Sequence, residues 1–403
     1  MNRAPDLPVQ EMSGALHVAL VTETWPPEIN GVAHTLHHMA QGLLGRGHSV
    51  HLLRPRQGRG DQGGDQLPGL TEQVLPGLPI PGYSGLHFGL PARGAISRAW
   101  RAATPDVVYL ATEGPLGHSA LAAARSLGVP VVSGFHTNFH SYSRYYRLGF
   151  LEPAVAGLLR RFHNRTDCTL VPTEHLRAEL TGQGFRNCAV LARGVNTRLY
   201  NPSRRDEGLR RSWGVEDDAP VVLYVGRLAA EKNLGLAVEA FRALQARSPA
   251  ARFVLVGDGP AAAELRRQHP DFVFCGMRTG EDLARHYASG DVFMFASTSE
   301  TFGNVVLEAM ASGLAIVAYD YAAARELLRD GHSAALAKLH DAQGYVARAR
   351  ALAEQPERIR TLGAAARARS LSVDWDHIYD GLESLLRAHA WEGRANGTVA
   401  AHR

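Results

Sequence analysis

The stretch Leu16-His-Val-Ala-Leu-Val21, followed by Gly31-Val-Ala-His-Thr-Leu-His-His-Met-Ala-Gln-Gly-Leu-Leu44, sets the class of fold. The first segment is a short apolar run of the kind that forms a buried strand. The second predicts an amphipathic helix, because its apolar residues recur at intervals of three and four and share one face. These residues are Val32, Leu36, Met39 and Leu43. A strand followed by a helix predicts the first part of a βαβ unit.

The same alternation continues through both halves of the chain. Further apolar runs in the first half occupy residues 50–53, 107–110, 129–132 and 169–171. The series restarts after the polar, Pro-containing stretch 196–202, with runs at 221–225, 253–256, 272–274, 292–295 and 315–317. Such alternation gives right-handed crossovers and mostly parallel sheets. We therefore predict an α/β fold with two doubly wound Rossmann-like domains, residues 15–197 and 203–372, facing across a cleft at the carboxyl ends of their strands.

Two segments stand outside this alternation. Residues 57–90 are rich in Gly and Pro, and only 73–75 predicts a strand. Loops of this length are usually functional or mobile, so we interpret the segment as a flap beside the cleft. The last clear pattern is an amphipathic helix over 375–389, after a break at Ser372.

Composition excludes several classes of protein. Of 403 residues, 45% are hydrophobic and 20% charged, a balance that allows a buried core. Cys168, Cys188 and Cys275 lack the spacing of a disulfide framework or a zinc site, which fits a reducing cytoplasm. No basic stretch leads into a long apolar run before residue 16, and no apolar run reaches the roughly 18 residues of a spanning helix. We expect a cytoplasmic protein whose contact with a membrane is peripheral.

The net positive charge of the chain comes from its first half. Residues 1–200 contain 18 arginines, no lysine and 13 acidic residues, whereas residues 201–403 carry a net charge of −1. This asymmetry suits an anionic membrane surface or an acidic small molecule better than nucleic acid. Compositional drift is the alternative explanation.

The strongest cluster of functional residues is Glu300-Thr-Phe-Gly-Asn-Val-Val-Leu-Glu308, directly after a predicted strand. A glycine that opens a helix exposes backbone N–H groups, which with the positive end of the helix dipole form an anion site. The groups concerned belong to Phe302, Gly303, Asn304 and Val305. We expect a diphosphate there, with Glu308 accepting ribose hydroxyls and Glu300 accepting the hydroxyls of a sugar.

A second cluster, Gly226-Arg-Leu-Ala-Ala-Glu-Lys-Asn233, follows the first strand of the second domain. Arg227 and Lys232 on one strand-to-helix loop can converge on a phosphate and neutralise the charge of a leaving group. The chain has 41 arginines and two lysines, Lys232 and Lys338, so a lysine here indicates a site that uses a compact point charge. Chance placement of a lysine is the alternative.

Three motifs of this chain together resemble those of one protein family. They are Gly226-Arg227 with Lys232, the carboxylates Glu300 and Glu308 around Phe302-Gly303, and Pro27-Glu-Ile-Asn-Gly-Val32. Together they resemble the retaining GT-B glycosyltransferases, which include lipid mannosyltransferases, sulfoquinovosyltransferases and sucrose synthases. The resemblance runs from about residue 16 to residue 389. It implies a GT-B architecture in which the C-terminal helix, 375–389, crosses back to the first domain.

The resemblance also implies roles by position. The catalytic residues would be Arg227, Lys232, Glu300 and His136. The donor would be bound by Gly31, Gly226, Arg227, Lys232, Met277, Glu300, Phe302, Gly303, Asn304, Val305 and Glu308. The acceptor side, with the flap, would include Asn30, His136, Asn138, Tyr142 and Arg144.

Within these sets the resemblance implies a separate role for several of the residues. Arg227 and Lys232 match the pair that binds the diphosphate and promotes its departure, and Gly31 matches a glycine where a side chain would block the donor phosphate. His136 matches a histidine beside the transferred sugar. Retention in this family is explained by attack on the face that the diphosphate leaves, with the phosphate taking the acceptor proton. The co-substrate would be a nucleotide-diphosphate sugar, with no metal or other cofactor.

Three short segments narrow the resemblance. Phe135-His-Thr-Asn-Phe-His140, Ala111-Thr-Glu-Gly-Pro115 and Gly276-Met-Arg-Thr-Gly280 are most similar to bacterial GDP-mannose-dependent α-mannosyltransferases. Similar segments occur in diacylglycerol glycosyltransferases that use UDP-sugars. The resemblance thus implies transfer of a hexose, mannose from GDP-mannose, to a lipid or lipid-linked glycan. A UDP-sugar-dependent enzyme with a glucose, glucuronate or sulfoquinovose donor, and a non-catalytic nucleotide-sugar-binding protein, are the alternatives.

Other motifs receive simpler explanations. The glycines of Gly257-Asp-Gly259-Pro-Ala-Ala262 match a dinucleotide fingerprint, but a tight strand-to-helix turn explains them, because the first strand of the domain should carry that fingerprint. Asp374-Trp-Asp376 precedes a helix and is interpreted as a cap. His34, His37 and His38 lack supporting ligands, so we assign no metal. The basic segments Arg144-Tyr-Tyr-Arg147 and Arg160-Arg161 either contact anionic lipid or belong to a surface helix.

Overall fold

The computed structural model describes residues 14–28, 30–58, 60–64, 67–80, 87–136, 152–216 and 219–401. Two parallel sheets dominate it, as the alternation of strands and helices predicts. The first has seven strands in the order β3-β2-β1-β6-β7-β8-β9. In chain order the first nine strands are β1 His17–Val21, β2 Ser49–Pro55, β3 Leu70–Leu75, β4 Gly77–Pro79, β5 His87–Gly89, β6 Val107–Leu110, β7 Val131–Gly134, β8 Cys168–Val171 and β9 Cys188–Val190. The helices between them are α1 Gly31–Gly45, α2 Arg93–Ala102, α3 Pro115–Leu127, α4 Glu152–His163 and α5 Glu174–Gly182.

The strands of the second sheet are β10 Val221–Val225, β11 Arg252–Val256, β12 Val273–Gly276, β13 Val292–Phe295, β14 Ala315–Tyr319 and β15 Ala335–Ala337. They lie in the order β12-β11-β10-β13-β14-β15. The helices of this half are α6 Glu207–Ser212, α7 Leu234–Gln245, α8 Ala262–Gln268, α9 Gly280–Ala288, α10 Asn304–Ala311, α11 Ala322–Leu327, α12 Ala342–Glu354 and α13 Pro356–Ser370. A terminal helix, α14, spans Trp375–Ala401.

Burial explains why the strands read as unbroken apolar runs. Every residue of β6 and β10 is buried, because helices cover both faces of each parallel sheet. On α1 the residues Leu36, Met39 and Leu43 are buried, as their spacing predicts. Asn30 caps this helix, its side-chain oxygen accepting hydrogen bonds from the N–H groups of Val32 at 3.1 Å and Ala33 at 2.8 Å.

The flap segment contains more regular structure than its composition predicts. β3 pairs with β2 along six residues and so belongs to the first sheet rather than to a loop. β4 and β5 form a separate antiparallel pair. The turn residues 81–86, together with 59, 65 and 66, lie outside the described part. The predicted strand 73–75 is the second half of β3, whereas β4 and β5 were not predicted, because Gly and Pro at the ends of these short strands interrupt their periodicity.

The terminal helix crosses back to the first domain, which confirms the predicted architecture. Its residues Ile378, Leu382 and Leu386 are buried in one core with Leu36 and Met39 of α1. The helices cross at a glycine: a Cβ on Gly42 would lie 2.3 Å from the Tyr379 ring. The helix is longer than the predicted 375–389. The Asp374 carboxylate accepts the N–H of His377 at 3.3 Å, which agrees with its interpretation as a cap.

The two chain crossings between the domains lie side by side. Val195, on the way out of the first domain, forms a bridge with Asp374, on the way back. Gly194 lies against the Trp375 backbone, where a Cβ would be 2.8 Å from the backbone nitrogen. Among the described residues no helix is long and apolar enough to cross a membrane. The domain limits 15–197 and 203–372 stay predictions.

Candidate active site

The two predicted donor motifs lie on neighbouring loops at one edge of the second sheet. β10 and β13 are adjacent parallel strands, and the strand order reverses between them. Open α/β sheets bind ligands at such a switch point, beyond the carboxyl ends of the strands. Hydrogen bonds join the two loops: the Ser299 hydroxyl donates to the Glu231 carbonyl at 3.1 Å, and the Asn233 amide donates to the Ala296 carbonyl at 3.3 Å. The motifs therefore form one site.

Lys232 and Glu300 form an ion pair across these loops. Lys232 Nζ lies 2.5 Å from Glu300 Oε1, and the Ser297 hydroxyl donates to the same oxygen at 2.7 Å. Both side chains are partly accessible, at 17% and 15% exposure, so each can exchange its partner for a ligand group. Tyr321 Oη donates to the Glu300 carbonyl at 2.8 Å and fixes the backbone of this residue.

Glu308 is held by two tyrosines that the sequence analysis missed. Tyr287 Oη donates to Glu308 Oε2 at 2.8 Å, and Tyr200 makes a second side-chain hydrogen bond to the same carboxyl group. Burial raises the pKa of Glu308 to about 7, and the tyrosine hydrogen bonds counteract part of that rise. Tyr200 lies in the predicted linker and Tyr287 on α9, so neither has a motif that could have revealed it.

The start of α10 leaves its first N–H groups without a side-chain cap. Gly303 occupies the cap position with φ 95°, a conformation that favours glycine, and no side-chain cap hydrogen bond is made there. Phe302 is buried at 3% exposure and anchors the turn. This arrangement differs from α1, where the Asn30 side chain already occupies two backbone donors. The start of α10 therefore has the properties of an anion site.

The Glu300–Glu308 motif also contacts the first domain. Asn304 Nδ2 donates to the Gly31 carbonyl at 3.4 Å and to the Thr35 hydroxyl at 3.3 Å. Thr301 Oγ1 donates to the His136 carbonyl at 3.3 Å. One contact is at the start of α1 and the other is at the end of β7. In the first sheet β6 lies between β1 and β7. The carboxyl ends of β1 and β6 therefore lie between the contact at α1 and the contact after β7.

Known proteins are similar to this chain in sequence and in architecture. A family model described as "Glycosyl transferases group 1" matches residues 219–355, and one described as "Glycosyltransferase Family 4" matches residues 29–199. A GDP-mannose-dependent alpha-mannosyltransferase of Mycobacterium tuberculosis (strain CDC 1551 / Oshkosh) is 37% identical over 78% of this chain and 81% of its own. One of Mycolicibacterium smegmatis (strain ATCC 700084 / mc(2)155) is 35% identical over 91% and 96%. The chain is a group 1 glycosyltransferase.

Solved structures place this glycosyltransferase in the GT-B architecture. Sucrose-phosphate synthase from Thermosynechococcus elongatus has a TM-score of 0.76 at 18% identity, over 92% of this chain and 98% of that one. The Anabaena protein HepE, in complex with UDP and glucose, has a TM-score of 0.73 at 20% identity, over 92% and 99%. At these identities the likeness concerns the fold.

The ring of the first-domain histidine of the glycosyltransferase contacts residues of its own domain. His136 is 7% exposed; its Nδ1 lies 2.9 Å from Arg193 Nη2 and its Nε2 lies 3.0 Å from Tyr109 Oη. Burial, and then the charge of Arg193, lower the pKa of His136 well below its usual value, so the ring is neutral. Because a guanidinium can only donate, Nδ1 accepts and Nε2 carries the hydrogen. The His136 carbonyl, rather than its ring, contacts the donor motif.

Two carboxylates of the glycosyltransferase occupy the switch point of the first sheet, between β1 and β6. Glu23 Oε1 accepts the Leu116 N–H at 3.2 Å, and Glu113 contacts His163 Nε2 at 3.0 Å. Burial raises the pKa of Glu23 to about 7, the Leu116 N–H opposes this, and the charge of Glu113 adds to it. The sequence analysis missed both as site residues. Residues 111–115 were recognised only as a segment similar to the family's sequences. A single glutamate after a strand has no distinctive pattern that would predict its function.

The remaining predicted residues of this glycosyltransferase are more scattered. Met277 is 50% exposed beyond β12. Asn138, Tyr142 and Arg144 lie outside the described residues. Gly257 packs against the Arg227 loop, where a Cβ would lie 2.0 Å from the Gly226 carbonyl, so a close turn accounts for this glycine. No group of three or more potential metal ligands occurs in the described part of the chain.

Proposed function

We propose that this glycosyltransferase is a retaining, GDP-mannose-dependent α-mannosyltransferase that acts on a lipid or lipid-linked glycan. The observation that carries the proposal is the 35% identity to a protein of that name over 91% of the chain. The joined loops at the β10/β13 switch point support it, since they bring together cations and carboxylates suited to a sugar diphosphate.

The donor lies along the second domain. Arg227 and Lys232 bind the diphosphate with the N–H groups at the start of α10, and Glu308 accepts the ribose hydroxyls. Glu300 leaves its pairing with Lys232 to accept hydroxyls of the sugar. As the bond from the sugar C1 to the phosphate oxygen breaks, the two cations stabilise the negative charge of the leaving diphosphate.

The acceptor approaches from the first domain. Its hydroxyl forms the new bond to C1 on the face that the diphosphate leaves, and a phosphate oxygen takes the hydroxyl proton, so no protein nucleophile is needed. Glu23, at the first-domain switch point, is placed to accept a hydrogen bond from an acceptor hydroxyl. Leu158, 56% exposed beside Arg160 and Arg161 on α4, supports peripheral contact with an anionic membrane at the cytoplasmic face.

A UDP-sugar-dependent diacylglycerol glycosyltransferase is the second candidate. It is supported by a sulfoquinovosyl transferase of Arabidopsis thaliana that is 29% identical over 92% of this chain and 73% of its own. We assign the nucleotide base to the loops near Gly257 and Met277, as the family resemblance implies, with recognition largely through backbone groups, which serve guanine and uracil alike.

A titration and a transfer assay separate the candidates. Calorimetric titration with GDP, UDP and ADP identifies the base, because the second domain should bind the correct diphosphate without an acceptor. Radiolabelled GDP-mannose and UDP-glucose are then supplied with vesicles containing diacylglycerol or a glycosylated diacylglycerol. We expect binding of GDP and labelled lipid from GDP-mannose. Uracil-specific binding supports the second candidate, and binding without turnover of any donor supports a non-catalytic sugar-nucleotide protein.

A further inference from the structure

Glu231 lies on the loop between Arg227 and Lys232, and its carboxylate is buried. The side chain is 2% exposed, and neither carboxylate oxygen has a hydrogen-bond partner among the described residues. Transfer of a carboxylate out of water without hydrogen bonds is unfavourable. Its burial therefore has a cost in stability that the packing of this loop does not explain.

Arg227 is the ion-pair partner of this buried group. Arg227 Nη1 lies 3.8 Å from Glu231 Oε1, which is an electrostatic contact but too long for a hydrogen bond. The Arg227 side chain is 38% exposed, so its guanidinium lies nearer the surface than the carboxylate. Lys232 is directed elsewhere, to Glu300. The two cations of the loop, Arg227 and Lys232, thus pair with two different carboxylates.

We infer that Glu231 is a positioning residue that holds the Arg227 guanidinium over the donor diphosphate. This rests on the proposed function, which assigns the diphosphate to Arg227 and Lys232. A guanidinium carries five N–H donors in a rigid planar fork, so one edge can bind a carboxylate while another binds phosphate oxygens. Because Glu231 is buried, it orients the fork and does not itself bind the donor.

The hydroxyl of Tyr224 forms a hydrogen bond to the backbone of the same loop. It donates to the Arg227 carbonyl at 3.0 Å, and burial followed by the charges of Glu300 and Glu231 raises the pKa of Tyr224 well above its usual value. The Arg227 backbone is therefore fixed by a neutral hydroxyl, while its side chain is drawn by Glu231. The two interactions restrict different parts of one residue, as positioning of a flexible side chain requires.

The test is a double-mutant cycle read by nucleotide titration. GDP and UDP, with guanosine and uridine as probes lacking phosphate, are titrated into the wild-type protein and into Glu231→Gln, Arg227→Lys and the double variant. Glu239→Gln, at an exposed position on α7, is the matched control. We expect Glu231→Gln to raise the Kd of the diphosphate about 10-fold, the size of one charge-assisted hydrogen bond, without changing the Kd of the nucleoside. In the Arg227→Lys background the same substitution should have no further effect, because lysine lacks the fork.

Each result has a defined meaning. An unchanged Kd for the diphosphate in Glu231→Gln overturns the inference and leaves the proposed function intact. Effects that add in the double variant, or a lowered melting temperature with equal losses for diphosphate and nucleoside, also overturn it, since they indicate a structural role. A wild-type protein that binds neither diphosphate overturns the proposed function and this inference together.

Discussion

The two sheets reverse strand order in the same way, but the side chains at their switch points are paired differently. In the second domain, Lys232 and Glu300 come from two loops, remain partly accessible and pair with each other. In the first domain, Glu113 pairs with His163 and the ring of His136 pairs with Tyr109 and Arg193, all within that domain. The second domain thus presents its charges to the cleft, whereas much of the polar structure of the first domain supports its own fold.

From this difference we predict which mutations change the rate of the enzyme and which change its stability. Charges at the second switch point should affect turnover with little effect on folding, since they remain partly accessible to solvent. Carboxyl groups buried at either switch point should affect how stability depends on pH. The contacts between the two edges, at Asn304 and Thr301, should have the smallest effects, because their hydrogen bonds are long.

The largest effect is expected from Lys232→Ala. Loss of one group that stabilises transition-state charge typically lowers kcat by about 100-fold to 1000-fold. The chain supplies an unusually close control in Lys338→Ala, which removes its other lysine, exposed beyond β15. Steady-state transfer from the donor identified by titration is the measurement. Equal kcat values for the two variants would remove Lys232 from the mechanism and with it the contrast between the switch points.

The next effect concerns pH and the two carboxyl groups with pKa values of about 7, Glu23 and Glu308. A carboxyl pKa that is higher in the folded than in the unfolded chain favours folding at low pH. That contribution is present below the unfolded pKa of about 4.5 and is lost as pH rises through 7, by up to about 3 kcal/mol for each group.

Urea unfolding of Glu23→Gln and Glu308→Gln between pH 5 and pH 8 measures this loss. We expect the stability of the wild-type protein to fall with pH more steeply than that of either variant. Subtraction of each variant from the wild type cancels the other titrating groups. Parallel pH profiles for a variant and the wild type would contradict the raised pKa of that residue.

Gly31→Ala is expected to have an intermediate effect. A Cβ there would lie 3.7 Å from Asn304 Nδ2, an ordinary contact, so folding should be unaffected. If the donor phosphate approaches this backbone, the same methyl group should raise the donor KM about 10-fold. Kinetics combined with a melting temperature distinguish the two reasons for a glycine. A normal KM would show that the start of α1 does not approach the donor, and a lowered melting temperature would point to packing.

Asn304→Ala should have the smallest effect. It removes two hydrogen bonds of 3.3 and 3.4 Å between the donor motif and α1, so we expect the donor KM to change by about 3-fold with kcat nearly constant. A much larger loss of kcat would show that contact between the domains, rather than either switch point alone, controls the reaction. The contrast between donor half and first-domain half would then need revision.

Sequence reasoning succeeded where function and fold depend on contiguous residues. The face of α1 formed by Leu36, Met39 and Leu43 followed from spacing, and residues 300–308 carry their loop and helix within nine positions. Parallel strands buried on both faces, such as β10, also read directly as apolar runs.

It failed where a site is assembled from single residues far apart in the chain. Glu308 is held by Tyr200 and Tyr287, from a linker and a helix that have no common pattern. Glu23 acquires its raised pKa from burial and from Glu113, which belongs to another strand end. Only the second half of β3, residues 73–75, was predicted, because its apolar residues are few and Gly69 and Pro76 flank it. Such features depend on tertiary proximity, which periodicity does not encode.

The packing of α14 on α1 has a consequence for how the protein is made. Leu382 and Leu386 complete a core whose other members lie in the first domain, with the whole second domain between them in the chain. On the ribosome the first domain emerges early, yet its outer apolar strip, around Leu36 and Met39, stays uncovered until the second domain and α14 have been synthesised. The second domain can fold as a unit in the meantime. Docking of α14 therefore completes the folding of the first domain, and a nascent chain stopped before residue 375 would present an aggregation-prone surface.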